Sequence, residues 1–419
     1  MHESEHPAQY NGPITRSRAT RSRASIHTLP LEVLSTIFIL VASDKQILAP
    51  IWKDPLPLCA VSSLWRSIAL ATPQLWQRIS VRKSISRATA KSEAKELVLW
   101  IKRSELLPLT LVIWYRSFQY LRRSGRGDPI VKVLSRHASR WETLCFCPLD
   151  GGTGPFWDPM KLFGVDKWSS LRRIYDVRPR ETIPWERLTH LSICRCSLPH
   201  AKVVNIFKRC PRLAWLSLTV HVTPGSSNVP ASPIILHDLS FASFTTNDFS
   251  AVIELISLPA LREISVRKTL RPSTDCGSLK ALHRFLTRSG CTLDELYIHE
   301  ATPSCPDDLI QIFAHKSCHF LTTLSIYQYR RLDTELITNE VCRRLTLHHD
   351  DSVCTHLKPL TLDCPALLPA LLAISNLELV LLLASHQKDY LAYFICESMI
   401  SFINENWTKS SKRVEWDTK

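Results

Sequence analysis

The sequence predicts an α/β fold in which an N-terminal all-α domain of three helices precedes an irregular solenoid of β/α repeats. The pattern Leu-x-x-Leu-x-Leu, or a close variant, recurs after residue 140, and amphipathic stretches with helical spacing lie between its copies. Ahead of the repeats, residues 26–81 contain more large apolar side chains than a domain of about 50 residues buries well by itself. That segment is therefore predicted to form a docking surface.

The first helix is predicted within residues 29–40. Thr28 suits the N-cap, and Pro30 suits the first turn, where its missing N–H costs nothing. Glu32 lies near the positive N-terminal end of the helix dipole. The helical spacing then continues as one apolar stripe, formed by Val33, Leu34, Ile37 and Phe38.

A further helix is predicted after the Asp- and Pro-rich stretch 54–57 interrupts the chain. A Thr-Pro pair at 72–73 ends this helix, and Leu75 and Trp76 follow in a short turn. The apolar residues of the helix share one face, namely Leu58, Val61, Leu64, Trp65 and Ile68.

Together these residues resemble an F-box. The matching motif is Leu29-Pro30-x-Glu32-x-Leu34-x-x-Ile37-Phe38, then Val61-Ser62-x-x-Trp65-Arg66-x-x-Ala69, then Leu75-Trp76. The segment is similar in particular to the F-box-like domains of large fungal protein families, although its stretch 42–57 is longer and richer in Pro than a compact F-box loop.

The resemblance implies that this domain docks on the Skp-type adaptor of a cullin–RING ubiquitin ligase. The adaptor-binding residues that it implies are Leu29, Pro30, Val33, Leu34, Ile37, Phe38, Leu58, Val61, Trp65 and Trp76. The alternative is a small three-helix bundle that serves only as an N-terminal cap for the repeats.

The repeats after residue 140 fit leucine-rich repeats with insertions, because the copies from Leu188 onward are spaced by 23 to 36 residues. Each x-Leu-x-Leu is predicted to be a strand, and the stretches 203–207, 252–256, 279–286 and 309–313 are predicted to be helices. One strand and one helix cannot bury their apolar faces alone, so neighbouring repeats must stack. The copies start at Trp141, Leu171 (degraded), Leu188, Leu213, Leu236, Leu261, Leu293, Leu321 and Leu357.

These patterns predict the domain organisation. The segment 81–140 is predicted to be a helical linker or atypical first repeats, with helices at 91–104 and 130–137 and a strand at 109–113. Its stretches 101–113 and 134–146 look like the region after the F-box in fungal F-box proteins. The remaining divisions are a disordered basic tail at 1–24, the F-box domain at 25–80, the leucine-rich-repeat solenoid at 141–364 and a C-terminal cap or tail at 365–419.

Composition and motifs favour a protein that is not an enzyme and uses no cofactor or metal. The chain has only 10 Gly, and the glycines at 151–154 lack the Gly-Lys-Ser/Thr of a phosphate-binding loop. The 14 Cys are scattered and no signal peptide is evident, which favours reduced thiols in the cytoplasm or nucleus. Two Cys-x-Cys pairs, at 145–147 and 194–196, have thiols spaced too closely for a usual zinc site. The apolar stretch 366–384 contains Glu378, which favours a buried segment over a membrane span.

The formal net charge of +14 is concentrated in residues 78–140, which hold 15 Lys or Arg and 4 Asp or Glu. Mixed with aromatic residues, such a stretch can bind nucleic acid. The interpretation favoured by the sequence is that the aromatic side chains are core residues and the charges form a hydrated outer face. Nucleic-acid binding through residues 78–140 is thus an alternative function.

The sequence as a whole predicts the substrate-recognition subunit of a cullin–RING ligase, with the repeats binding an unknown protein substrate. Candidate substrate-binding residues lie at exposed positions between the buried strand leucines, namely His190, Trp215, Ser217, Tyr297 and Tyr327. A leucine-rich-repeat scaffold without any ubiquitin role is the other alternative.

Overall fold

The computed structural model describes residues 29–42, 55–81, 86–147, 162–163, 168–223, 232–268, 278–300, 306–328 and 360–363. The chain divides into two compact units, residues 1–76 with 103–105 and residues 77–102 with 106–419. The predicted tail at 1–24 and the predicted cap at 365–419 lie outside the described residues.

The first unit is all-α in its described part. Its helices are α1 (Leu31–Ala42), α2 (Leu56–Val61) and α3 (Ser63–Leu70), and a 3₁₀ turn follows at Pro73–Trp76. The indole N–H of Trp76 donates to the carbonyl oxygen of Ala69 at 2.8 Å, which ties this turn to the end of α3. The buried apolar residues of the unit are Leu34, Phe38, Ile68, Ala69, Leu75 and Trp76.

The prediction of one helix through Leu58 and Ile68 is wrong, because Ser62 divides it into two. Ser62 has extended backbone, with φ −157° and ψ 168°, and its hydroxyl accepts a hydrogen bond from the backbone N–H of Trp65 at 3.1 Å. A serine in this position satisfies a backbone donor that the first turn of a helix leaves free. Leu58 and Val61 therefore belong to α2, whereas Trp65 and Ile68 belong to α3.

The second unit contains a parallel sheet of eleven described strands whose spatial order follows the chain, together with a two-stranded pair, β7 with β9. Every pairing in it is parallel. The strands are β1 (Arg78–Val81), β2 (Leu109–Trp114), β3 (Trp141–Cys147), β4 (Arg173–Val177), β5 (His190–Pro199), β6 (Trp215–Thr223), β7 (Ile234–Ile235), β8 (Phe241–Thr246), β9 (Ile256–Ser257), β10 (Glu263–Lys268), β11 (Glu295–Glu300), β12 (Thr323–Gln328) and β13 (Leu360–Asp363).

Helices connect these strands, and the last four described helices, from His200–Arg209 to Pro306–Phe313, each pack against the next. These consecutive helices therefore form one layer, and the strands turn their buried residues toward it. The helices are α4 (Ala90–Arg103), α5 (Tyr115–Ser124), α6 (Pro129–Arg136), α7 (His200–Arg209), α8 (Phe249–Ile253), α9 (Ser278–Ser289) and α10 (Pro306–Phe313).

Burial alternates along the central strands, as β6 illustrates. Leu216, Leu218, Val220 and Val222 are buried, whereas the residues between them are half-buried. Alternate residues of a strand point to opposite faces, so one face of the sheet packs into the core, and the β6 side chains on the other face are only half-buried. We call this other face the open face.

From β4 to β12 the strands of the large sheet lie in register through one repeated contact, in which the backbone carbonyl oxygen just before a strand accepts N–H groups from two residues at the start of the next strand. The carbonyl of Ala214 accepts from Ser240 at 2.9 Å and from Phe241 at 3.3 Å. The carbonyl of Ser240 then accepts from Arg262 at 2.8 Å and from Glu263 at 3.0 Å. The full series of acceptors is Arg172, Thr189, Ala214, Ser240, Arg262 and Asp294.

The repeat copy predicted to start at Leu236 starts three residues later, at Leu239. Ala242 and Phe244 of β8 are in register with the buried leucines of β6, so Leu239, Ala242 and Phe244 occupy the repeat positions. Leu236 and Leu239 both fit the apolar spacing, and only the pairing with neighbouring strands separates them. Phe241, predicted to point inward, lies on the open face instead.

The other predicted elements are mostly confirmed, with three exceptions. The predicted helix at 252–256 is shorter, because α8 ends at Ile253 and Ile256 pairs with Ile234 in the small sheet. The all-α domain was predicted to extend to residue 80, but Arg78–Val81 is the first strand of the large sheet. Helix α5 was not predicted, since its Arg-rich sequence contains one aliphatic residue, Leu121.

Two phenylalanines of β8 test this register. We expect Phe244→Ala to lower the free energy of unfolding by about 3–5 kcal/mol, because it leaves a cavity beneath the sheet. The matched variant Phe241→Ala removes the same side chain from the open face and should cost only about 1 kcal/mol. Urea unfolding measures both, and an equal cost for the two variants would contradict the register.

Candidate protein-binding surfaces

The ten predicted adaptor-binding residues fall into three groups in the first unit. Leu34, Phe38 and Trp76 are buried, so they support the helices and cannot contact a partner directly. Partly buried positions hold four more, Leu29, Ile37, Leu58 and Trp65, and the exposed ones are Pro30, Val33 and Val61.

Sequence analysis missed several apolar residues that the first unit exposes. Leu40 is 67% exposed and Leu31 is 54% exposed, comparable with Val61 at 58%. Helix α1 is apolar on nearly all sides, and a helix with this composition is normally buried all round. That composition was the signal that could have identified them. Val41, Leu56 and Leu70 are exposed as well.

An aromatic contact joins α1 to α3. The rings of Phe38 and Trp65 lie 4.8 Å apart between centroids, tilted by 51°. The guanidinium of Arg66 donates to the carbonyl oxygen of Cys59 at 2.9 Å, which fixes the corner between α2 and α3. The indole nitrogen of Trp65 is buried and finds no hydrogen-bond partner in the described part of the chain.

In the second unit, a row of rings lies on the open face. Trp215 of β6 is the centre of this row. Its ring stacks on Phe241, with centroids 4.8 Å apart and an interplanar angle of 7°, and lies near-parallel to His190 at 6.3 Å. Tyr175 approaches the Trp215 ring edge-on at 5.5 Å. We call these four side chains the ring platform.

Burial shifts the pKa values of two side chains in the ring platform. Desolvation, with a smaller effect of the Arg173 charge, lowers the pKa of His190 to about 4, so this imidazole is neutral at physiological pH. Desolvation also raises the pKa of Tyr175 to about 12. The Tyr175 hydroxyl is buried and has no hydrogen-bond partner among the described residues. The platform is therefore uncharged.

Two carboxylates follow the ring platform in the same row. Phe241 pairs with Glu263, and Glu263 pairs with Glu295, across neighbouring strands. The hydroxyl of Tyr297 donates to Glu295 at 2.5 Å. Desolvation, and then the charge of Glu295, raise the pKa of Glu263 to about 7. We call Glu263 and Glu295 the carboxylate pair.

The structure brings four of the five predicted substrate-binding side chains to the open face, where they are half-buried and not exposed as predicted. His190 and Trp215 are neighbours in the ring platform. Ser217 and Tyr297 lie in the next row, separated by β8 and β10. Tyr327 lies in β12, and its backbone pairs with His299 of β11. The side chain of Tyr327 lies outside the described residues.

Tyr175, Phe241 and the carboxylate pair were not predicted. Tyr175 lies in a degraded repeat copy, and Phe241 was assigned to the wrong face by the shifted copy at Leu236. The repeat pattern, placed correctly, would have identified Phe241, Glu263 and Glu295 as equivalents of Trp215.

A cleft of about 620 Å³ lies near the carboxyl ends of β5 and β6. Its lining includes Arg195, His221 and Cys196. Cys196, the second cysteine of the pair at 194–196, belongs to β5 and pairs with Val220. Desolvation raises its pKa to about 11 despite nearby Arg and Lys charges, so its thiol is unreactive at neutral pH. No cluster of three or more potential metal ligands occurs within the described ranges.

The basic stretch 78–140 has exposed cations, including Arg122, Arg123 and Arg126. Its described aromatic residues are partly committed to the fold, since the Trp114 indole donates to the Ser80 hydroxyl at 3.2 Å and Tyr120 packs against the core. Nucleic-acid binding stays an untested alternative. None of the described helices is long and apolar enough to cross a membrane.

Comparison with known proteins adds no family assignment. The sequence matches no protein-family model, and no curated protein matches it.

The raised pKa of Glu263 predicts a pH-dependent stability. The folded chain binds this proton more tightly than the unfolded chain, so this contribution to the free energy of unfolding is present at low pH and declines as pH rises from about 4.5 to about 7. We expect Glu263→Gln to gain stability relative to the wild type between pH 5 and pH 8, measured by urea unfolding. Glu254→Gln, which removes an exposed carboxylate paired with Arg284, is the control and should show no such gain.

Proposed function

We propose that this protein is the substrate-recognition subunit of a cullin–RING ubiquitin ligase. In this proposal the first unit docks on a Skp-type adaptor, and the open face of the second unit binds a protein substrate. The observation that carries the proposal is the exposed apolar surface of α1 and α2, in a helical unit whose sequence resembles an F-box.

The energetics of the first unit support docking. Leu31, Leu40 and Val61 are each more than half exposed on helices of a small unit. Contiguous exposed apolar side chains mark interaction sites in soluble proteins, and burying a Leu or Val side chain contributes about 1.5–3 kcal/mol. Covering these side chains with an adaptor would contribute apolar burial to the proposed interface.

The second unit supports the other half of the proposal. Its open face presents aromatic side chains in fixed positions on a rigid sheet, and aromatic residues are enriched among those that dominate binding energy. The chain would contribute position rather than chemistry, because holding a substrate near a ubiquitin-carrying enzyme raises the effective concentration of its lysines. Ubiquitin transfer itself would take place on other subunits.

A leucine-rich-repeat scaffold without a ubiquitin role would share the open face but would not need the exposed surface of α1 and α2. The two functions therefore differ in what the first unit binds. Substitution of Leu34 cannot separate them, because Leu34 is fully buried and a charge there would disrupt the fold itself.

The double variant Val33→Asp, Val61→Asp tests the docking surface. Both side chains are exposed, so the variant should fold, while the two carboxylates oppose burial against an adaptor. We expect retention of a purified Skp-type adaptor by the full chain to fall at least about tenfold in a pull-down.

Leu106→Asp is the control, because Leu106 is 91% exposed in the second unit and the change replaces one exposed apolar side chain with a carboxylate, as each substitution of the double variant does. It should retain the adaptor like the wild type. If the wild type fails to retain the adaptor, or if the double variant retains it equally well, the ligase function is wrong and the scaffold function is favoured.

A further inference from the structure

We infer that the open face binds a basic protein segment, in which an apolar or aromatic side chain lies on the ring platform and an arginine or lysine side chain pairs with Glu263 and Glu295. This inference deepens the proposed function by naming the chemistry of the substrate. Only the identification of the bound segment as a substrate rests on that function. The surface is argued from its own geometry.

The aromatic and acidic parts of the open face form one continuous surface. His190, Trp215, Phe241, Glu263 and Glu295 occupy equivalent positions on consecutive strands of the large sheet, each paired with the next. Neighbouring strands are about 4.8 Å apart. An apolar surface therefore passes directly into an acidic one within a single row, with no element of the described chain between them.

The charge of the carboxylate pair is not neutralised by any described cation. No described cation forms a salt bridge with Glu263 or Glu295, and the only charge that perturbs Glu263 is the like charge of Glu295. The nearest basic residues along the strands are engaged elsewhere: Arg262 contacts Asp294 at 3.8 Å, and Arg267 contacts His299 at 3.5 Å. A bound cation would relieve the repulsion within the pair.

The side chains around the carboxylate pair suit arginine or lysine. Phe241 lies between Trp215 and Glu263, so a cation that reaches Glu263 also comes within range of an aromatic face, where it is stabilised further. A guanidinium additionally donates two parallel hydrogen bonds to a carboxylate. An acidic or phosphorylated segment would be repelled at this position.

The unpaired hydroxyl of Tyr175 is an independent sign of a ligand. It is buried at the edge of the ring platform and has no partner in the described chain. Buried polar groups are nearly always hydrogen-bonded in folded proteins. A polar atom of a bound segment would supply the missing partner if binding displaces the side chains that cover this hydroxyl.

The row also fixes a spacing. From the middle of the Trp215–Phe241 stack to the middle of the carboxylate pair is two strand intervals, about 10 Å. An extended segment spans that distance in about three residues. The basic residue should therefore lie about three positions from the apolar or aromatic residue.

The experiment is selection of a degenerate decapeptide library on the immobilised full-length chain. We expect the bound pool to be enriched in Arg or Lys about three residues from Trp, Phe, Tyr or Leu. A peptide synthesised from that consensus should bind the variants Trp215→Ala and Glu263→Gln with Glu295→Gln at least about tenfold more weakly. Because Glu→Gln keeps the shape of the side chain, the second variant tests charge without disturbing the fold.

Glu254→Gln is the control for the loss of a carboxylate, since Glu254 pairs with Arg284 away from the open face, and it should bind the peptide like the wild type. A pool enriched in acidic or uncharged peptides, a pool with no preference, or affinities unchanged in both open-face variants would overturn the inference. Adaptor retention by the full-length wild type reports separately on the proposed function: a wild type that retains the adaptor but selects no basic peptides refutes this inference alone.

Discussion

The large sheet depends on one repeated backbone interaction, the carbonyl oxygen that accepts two N–H groups from the next strand. Six described carbonyls, from Arg172 to Asp294, make this contact. It fixes the register of each strand, and a slip of one residue would turn every buried leucine to the open face. The apolar layer between strands and helices is therefore continuous only because each strand begins in step with its neighbour.

The same register creates the open-face surface. Trp215 and Phe241 are far apart in sequence, yet they stack at 4.8 Å because both follow an aligned backbone contact. Glu263 and Glu295 are brought together in the same way, against their mutual repulsion. Core packing holds these two carboxylates close together despite their repulsion. Titratable groups with strongly shifted pKa values are common at functional sites.

Sequence reasoning was most successful where a buried pattern repeats without ambiguity. The copies at Leu261 and Leu293 led directly to β10 and β11, because their apolar residues alternate in only one way. It was wrong at Leu236, where two leucines three residues apart fit the pattern equally and only pairing with β6 decides. It also joined α2 to α3, since periodicity continues across Ser62 and only the cap geometry reveals the break. Contacts between open-face side chains depend on register, which no single repeat specifies.

The residues that carry the resemblance to an F-box divide unevenly between core and surface. Leu34, Phe38 and Trp76 are among the most recognisable members of the motif, and all three are buried. A buried motif residue specifies how helices pack, whereas the proposed partner would contact exposed side chains such as Leu31 and Val61. The resemblance is therefore evidence for the shape of the first unit more than for its partner. The proposed docking function rests on the side chains that the described part of the first unit exposes.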